Sequence, residues 1–248
     1  MSFELLILLA CAFFVIALVY SSVGHAGASG YLSVMILAGV APAVMRPTAL
    51  SLNIAVSSLV CLHLWRHGRM DWRALWPFIL SSIPMAALGG SMKLSDKTYL
   101  NWLAIVMVLS SILLFLRTRE HTPNVEQRAH IHPVLALCIG GIIGLLSGIT
   151  GTGGGIFLSP ILILFGLAGV RTTAAISAPF ILFNSISGLS GNVLSAHYLP
   201  DGISVLMAVV LVGGFIGARL GTHVLSAKVL LRVLSGVMLF SASKLILG

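Results

Sequence analysis

The stretch Gly151-Thr152-Gly153-Gly154-Gly155, continuing as IFLSPILILFGLAG to Gly169, decides how the chain folds. A glycine run stops a helix, yet apolar sequence resumes at once and lasts only from 156 to 168. That segment is too short to cross about 30 Å of hydrocarbon comfortably. A second stretch of the same kind lies upstream. GHAGASGYLSVMILAGVAP from Gly24 parallels GTGGGIFLSPILILFGLAG from Gly151, and the match continues as Arg46-Pro47-Thr48-Ala49 against Arg171-Thr172-Thr173-Ala174, at an offset of 125 to 127 residues. Leu94-Ser95-Asp96-Lys97 similarly resembles Leu225-Ser226-Ala227-Lys228.

Around these two stretches the chain is almost uniformly apolar. Of its 248 residues, 58% are hydrophobic and 8% charged, with a mean hydropathy of +1.09. A soluble domain carries about 25% charged residues, so a soluble enzyme, a disordered chain and a nucleic-acid-binding domain all fit poorly. The net charge of +8 comes from Lys and Arg scattered in short breaks rather than along a basic stripe. Such placement suits the loops of a membrane protein. Ten segments result, at about 4–22, 30–41, 47–65, 74–92, 98–116, 133–149, 156–168, 174–194, 202–218 and 229–247. Lipid cannot satisfy an open backbone, so all are expected to be helices. The first segment begins with Glu4 and no basic residue, unlike a secretory signal, and is read as part of the fold. Cys11, Cys61 and Cys138 lie far apart within apolar runs, as packed thiols do.

The expected architecture is therefore an all-α polytopic membrane protein with a first repeat over 1–117, a cytoplasmic linker over 118–132 and a second repeat over 133–248. Five segments is an odd number, so the second repeat enters the membrane from the opposite side, a pattern frequent in secondary transporters. Loops 66–73, 117–132, 169–173 and 219–228 together hold nine Lys or Arg, against four on the other side. The positive-inside rule makes the richer side cytoplasmic, with both termini outside the cytoplasm.

Each Gly-rich break leaves backbone N–H groups accessible, and the short helix that follows aims its positive end at whatever sits there. The candidate binding residues of the first break are Gly24, His25, Gly27 and Ser29; those of the second are Thr150, Gly151, Thr152, Gly153, Gly154 and Gly155. The other use for such glycines is close helix packing. All six acidic residues fall at expected helix ends or loops, which disfavours a cation substrate and carboxylate-based proton coupling. Asn53 and Asn184, with Ser51, Ser57, Ser177 and Ser187 nearby, are the polar residues of the third segment in each half. They would either complete an anion shell or bond helix to helix. His25 would bond an anion, accept a proton or play a structural part. Arg46 and Arg171 align, and either draw anions into vestibules at opposite faces or simply snorkel to the interface. His63 and His67 have metal-ligand spacing but no third ligand in sequence, so no metal is expected. Gly27-Ala28-Ser29-Gly30 is similar to the nucleophile motif of rhomboid-type intramembrane proteases, but lacks a well-placed histidine base on another helix.

The glycine run 151–155, Leu158-Ser159-Pro160, Gly166 and the Ala-rich stretch Thr172–Ser177 together resemble the TauE/SafE family of sulfite exporters. Val23-Gly24-His25-Ala26-Gly27 before Leu32-Ser33 echoes the pattern in the first half, and the likeness covers nearly the whole chain. What the resemblance implies is a transporter or exporter of sulfite, sulfonates or related organic anions that is not ATP-driven, and no P-loop is present. The first break departs from the run by inserting His25, Ala26, Ala28 and Ser29.

The resulting expectation is a non-enzymatic, multi-pass protein of the plasma (inner) membrane. It would export a small anion by alternating access at a midplane site between the breaks. An anion channel with the same site is the main alternative, and a protease using Ser29 the remote one. The expected partners are the anion and the lipid bilayer, with no nucleic acid and no cofactor; a homo-oligomer is left open.

Overall fold

The computed structural model describes residues 3–119, 131–195, 202–220 and 227–247, and among these every regular element is an α-helix. The ten helices are α1 Phe3–Ser22, α2 Ala28–Leu37, α3 Pro42–Arg66, α4 Trp72–Ser91, α5 Asp96–Arg119, α6 Pro133–Thr150, α7 Gly155–Leu164, α8 Val170–Ser195, α9 Ile203–Leu220 and α10 Ala227–Leu247. Among the described residues, seven helices are long and apolar enough to cross a membrane: α1, α3, α4, α5, α6, α8 and α9. Most of the expected linker 118–132, namely 120–130, lies outside the described residues.

Several boundaries differ from the sequence expectation, each for an identifiable reason. Helix α3 begins at Pro42, not near Pro47, because Pro42 occupies the first turn, where its missing N–H costs nothing. Helix α8 begins at Val170, so Arg171 lies inside its first turn rather than in a loop. The short helices end early, at Leu37 and Leu164, because the chain turns away through Gly39 at φ 69° and Gly166 at φ 62°. Those two glycines, like Gly24 and Gly151, are 127 residues apart. Ten-residue helices are about 15 Å long, half a bilayer core.

The short helices are the most enclosed elements, and eight residues of each are buried. Around them the exterior is apolar, and polar side chains are enclosed together with an apolar core. Ile142, Leu80, Phe215 and Phe240 point outward, while Ser29, Asn53, Thr150, Ser159, Ser177 and Asn184 have no exposed surface. An apolar exterior that encloses the polar side chains is the arrangement hydrocarbon solvent selects, because those side chains must then find partners inside.

Small residues bring the long helices together. Gly140, Gly144 and Gly148 on α6 face the backbone carbonyls of Phe78, Ser82 and Ala86 on α4, so a Cβ at any of them would strike backbone. Gly213 and Gly217 on α9 lie in the same way against Phe14 and Leu18 of α1. Such small-residue seams replace the hydrophobic effect, which cannot join helices already in lipid. The principal pairs are α4 with α6 and α8, α1 with α9, α3 with α8 and α9, α5 with α10 and α7, and α2 with α10. Exchanging α1–α5 for α6–α10 in order leaves this list unchanged.

Candidate functional site

Both breaks turn through left-handed glycines at two matching positions. Helix α1 leads into Gly24 at φ 83° and helix α6 into Gly151 at φ 84°, a left-handed turn that a side chain would strain. The N-caps of the short helices, Gly27 at φ 105° and Gly154 at φ 79°, are left-handed too, and neither supplies a side-chain cap. No side chain caps either start: the N-cap carbonyls of Gly27 and Gly154 take up the N–H of Tyr31 and those of Phe157 and Leu158, and the N–H groups before them have no capping side chain. The two breaks also lie close together: a Cβ placed on Gly155 would sit 3.7 Å from His25 Cδ2.

His25 is buried and crosses between the halves. Its Nε2 lies 2.7 Å from Ser159 Oγ on α7, and Ser159 Oγ lies 2.7 Å from Ser177 Oγ on α8. Its Nδ1 is 3.2 Å from the Val23 carbonyl. The chain His25–Ser159–Ser177 thus ties the first break to two helices of the second half. Ser29, in contrast, pairs with Tyr20, whose hydroxyl lies 2.6 Å from Ser29 Oγ. Tyr31 donates to the Ala26 carbonyl within the first break at 2.9 Å.

The second break is held mainly through its backbone. Asn53 Nδ2 on α3 donates to the Thr152 carbonyl and to Ser185 Oγ, both at 3.4 Å. Gly153 lies directly against that amide, so a Cβ there would overlap Asn53 Nδ2 and come within 3.0 Å of Ser185 Oγ. At Gly154 a Cβ would lie 2.8 Å from both Ile143 Cγ2 and Phe180 Cε1. Thr150 and Thr152 pair through their hydroxyls at 3.1 Å, and Tyr99 donates to the Thr150 carbonyl at 3.2 Å.

Asn184 does not reach either break through a described bond; its Nδ2 donates to Phe180 O one turn back, at 2.8 Å. The side-chain oxygens of both Asn53 and Asn184 are buried without a hydrogen-bond partner. Arg46 is half-buried, and its Nη1 donates to the carbonyls of Gly89, Met92 and Ile149, each at 3.4 Å. With the Asn192 amide turned to face it, that oxygen accepts from Arg46 Nη2 at 2.8 Å. Arg46 therefore clamps the C-terminal ends of α4 and α6 beside Gly151, where a cation suits the helix dipoles. Arg171 lies in the first turn of α8, and its side chain is outside those described.

Chemically, the groups that the two breaks bring together are N–H groups, hydroxyls, an amide and an imidazole. The acidic residues among those described, Glu4, Asp71 and Asp96, stand at the N-terminal ends of α1, α4 and α5. Among the described residues no group of three His, Cys, Asp or Glu is placed to hold a metal ion. Sequence reasoning missed Ser159, Tyr20, Tyr99 and Ser185 as partners of the breaks. For Ser159 the signal was present, a hydroxyl inside an otherwise apolar ten-residue helix.

Comparison with known proteins bears on the whole chain. A family model described as sulfite exporter TauE/SafE matches residues 8–245. A protein of Sinorhizobium fredii (strain NBRC 101917 / NGR234), described as probable membrane transporter protein y4hK, is 39% identical over 241 residues, covering 96% of this chain and 97% of that one. No solved structure matches the chain.

Proposed function

Since the chain belongs to the TauE/SafE sulfite exporter family and is a multi-pass membrane transporter, we propose that it carries a small sulfur-containing or organic anion, such as sulfite or a sulfonate, out across the inner (plasma) membrane. The site is the space between the two breaks. It takes in Gly24, His25, Gly27 and Ser29 from the first, Thr150 to Gly155 from the second, and Asn53, Ser177 and Asn184 around them. The observation that carries this reading is the pair of glycine N-caps, Gly27 and Gly154. They leave two buried helix starts uncapped by any side chain and close to one another, which is what an anion needs in a low-dielectric interior. A protonated oxyanion, or a water accompanying it, would also satisfy the unpartnered Asn53 oxygen.

The halves act as inverted repeats, with both termini outside the cytoplasm, and rock against each other to expose the site alternately. The exchange of packing partners between α1–α5 and α6–α10 supports that relation. Arg171 would draw anions to its own face. Arg46 would serve the other face while holding the end of α6. A potential that is negative inside favours each exported negative charge by about 2.3 kcal/mol per 100 mV, so no coupling ion is required.

The test is anion flux into proteoliposomes of purified protein under a clamped potential, comparing sulfite, sulfate, thiosulfate, a sulfonate and a carboxylate. Selective, saturable flux of a sulfur oxyanion, stimulated by the same anion on the far side, is expected. Flux without trans-stimulation would make the protein a channel. No flux of any of the five by oriented protein would overturn the anion reading.

A further inference from the structure

The matched helix pairs α8 with α4 and α3 with α9 pack differently. On α8, Gly188 and Gly191 let α4 approach to backbone contact: Gly90 lies on the Gly188 carbonyl, and Gly191 on the Ala87 carbonyl. In the alignment that pairs Arg46 with Arg171, the α3 positions matching Gly188 and Gly191 hold His63 and Arg66. Both line a cleft of about 320 Å³ between the end of α3 and α9.

The cleft has two kinds of wall. Leu59, Leu62 and Phe215 form an apolar side, and Arg66, His67 and Arg219 stand with His63 at its polar end. Arg219 lies over the Phe215 ring, 4.2 Å from its centroid, and the His63 and His67 rings meet at a tilt of 38° with centroids 4.3 Å apart. Leu62 is 40% and Phe215 47% exposed, so the apolar side opens laterally, toward the acyl chains. Trp65 and Trp72 are exposed at the same end, as tryptophans are at headgroup depth. No acidic residue lines the cleft among those described. The nearest in sequence, Asp71, accepts from Ala74 N at 3.1 Å to cap α4.

We propose that this cleft binds a phosphate-bearing anionic lipid, its phosphate between Arg66, His67 and Arg219 and one acyl chain along Leu59, Leu62 and Phe215. A basic end joined to a laterally open apolar wall matches both parts of such a lipid. A free anion would use only the first. The site is separate from the breaks and stands independently of which solute the protein carries.

Native mass spectrometry of the full chain, released from nanodiscs of mixed phosphatidylglycerol and phosphatidylcholine, tests the assignment. Wild type is expected to retain one phosphatidylglycerol per chain, and Arg66→Gln/Arg219→Gln to bind it about tenfold or more weakly. Leu62→Trp, which fills the apolar wall and leaves both arginines, is expected to lose the lipid as well, and it carries the test if the double variant fails to fold. Inorganic phosphate at millimolar concentration is expected not to displace the lipid. Equal retention of phosphatidylcholine, undiminished retention by either variant, or displacement by inorganic phosphate would overturn the proposal. The readout is lipid mass, so a failure of the transport reading would leave it unaffected.

Discussion

The first break holds His25 and Ala26 where the second holds Thr152 and Gly153, although both turn through glycines at matching positions, Gly24 and Gly27 against Gly151 and Gly154. The difference decides which partner reaches across. At the first break a side chain of the break itself, His25, extends to Ser159 in the other half. At the second, no side chain at Gly153 blocks the way, and Asn53 comes in from the other half to meet the backbone. The backbone device is kept in both copies while the chemistry has divided, with imidazole on one side and amide on the other.

The largest effect is expected where a side chain would both violate the turn and displace the amide. Gly153→Val places a β-branched residue at φ 73° against Asn53 and Ile181, at a cost of at least about 1–3 kcal/mol locally. Flux in proteoliposomes should be abolished while membrane fractions still contain the protein. Gly154→Val should behave alike, and normal transport by both variants would remove the second break from the site. His25→Ala comes next. Loss of its bond to Ser159 should lower flux roughly fivefold, the equivalent of about 1 kcal/mol, and Thr152→Ala should lower it less, because the Thr152 hydroxyl pairs with Thr150 and its carbonyl still meets Asn53. Equal effects would mean that the two breaks do not differ in role.

Asn53→Ala and Asn184→Ala sharpen the same contrast through stability. Asn53 bonds across helices and Asn184 to its own, so the first substitution should lower the apparent Tm by about 2–4 °C, for about 1 kcal/mol, and the second by less. A reversed order, measured in one detergent, would undo the assignment of Asn53 to the second break. The smallest effect is expected from Ala26→Gly, which makes the first break more like the second. Ala26 has no positive φ, so glycine adds only backbone freedom, worth up to about 1 kcal/mol, and flux should stay within about twofold.

The helices were readable because their cause is local. Ten apolar runs and two glycine breaks are written directly into residue order, and the internal likeness of Gly24 to Pro42 with Gly151 to Gly169 identified the pair of short segments. The helix starts at Pro42 and Val170 were not, because Arg46 and Arg171 look like loop charges until the carbonyls that receive Arg46 are known. Partners of the breaks were harder still. Nothing along the chain links His25 to Ser159, which lies 134 residues away, or separates Asn53 from Asn184, since that depends on which helix face turns inward. Glycines posed the same problem: those of α6, Gly140, Gly144 and Gly148, serve a packing seam, and only left-handed backbone sets Gly151, Gly153 and Gly154 apart from them.

The seams α1 with α9, α4 with α6, α3 with α8 and α5 with α10 all join residues from before position 120 to residues after 130. During synthesis, then, the first five helices enter the bilayer before any of these seams can close. Through that interval the Asn53 amide and the His25 ring lack the Ser185, Thr152 and Ser159 groups that later satisfy them. A nascent half-molecule of this protein therefore carries a few polar groups into hydrocarbon before their partners have been made.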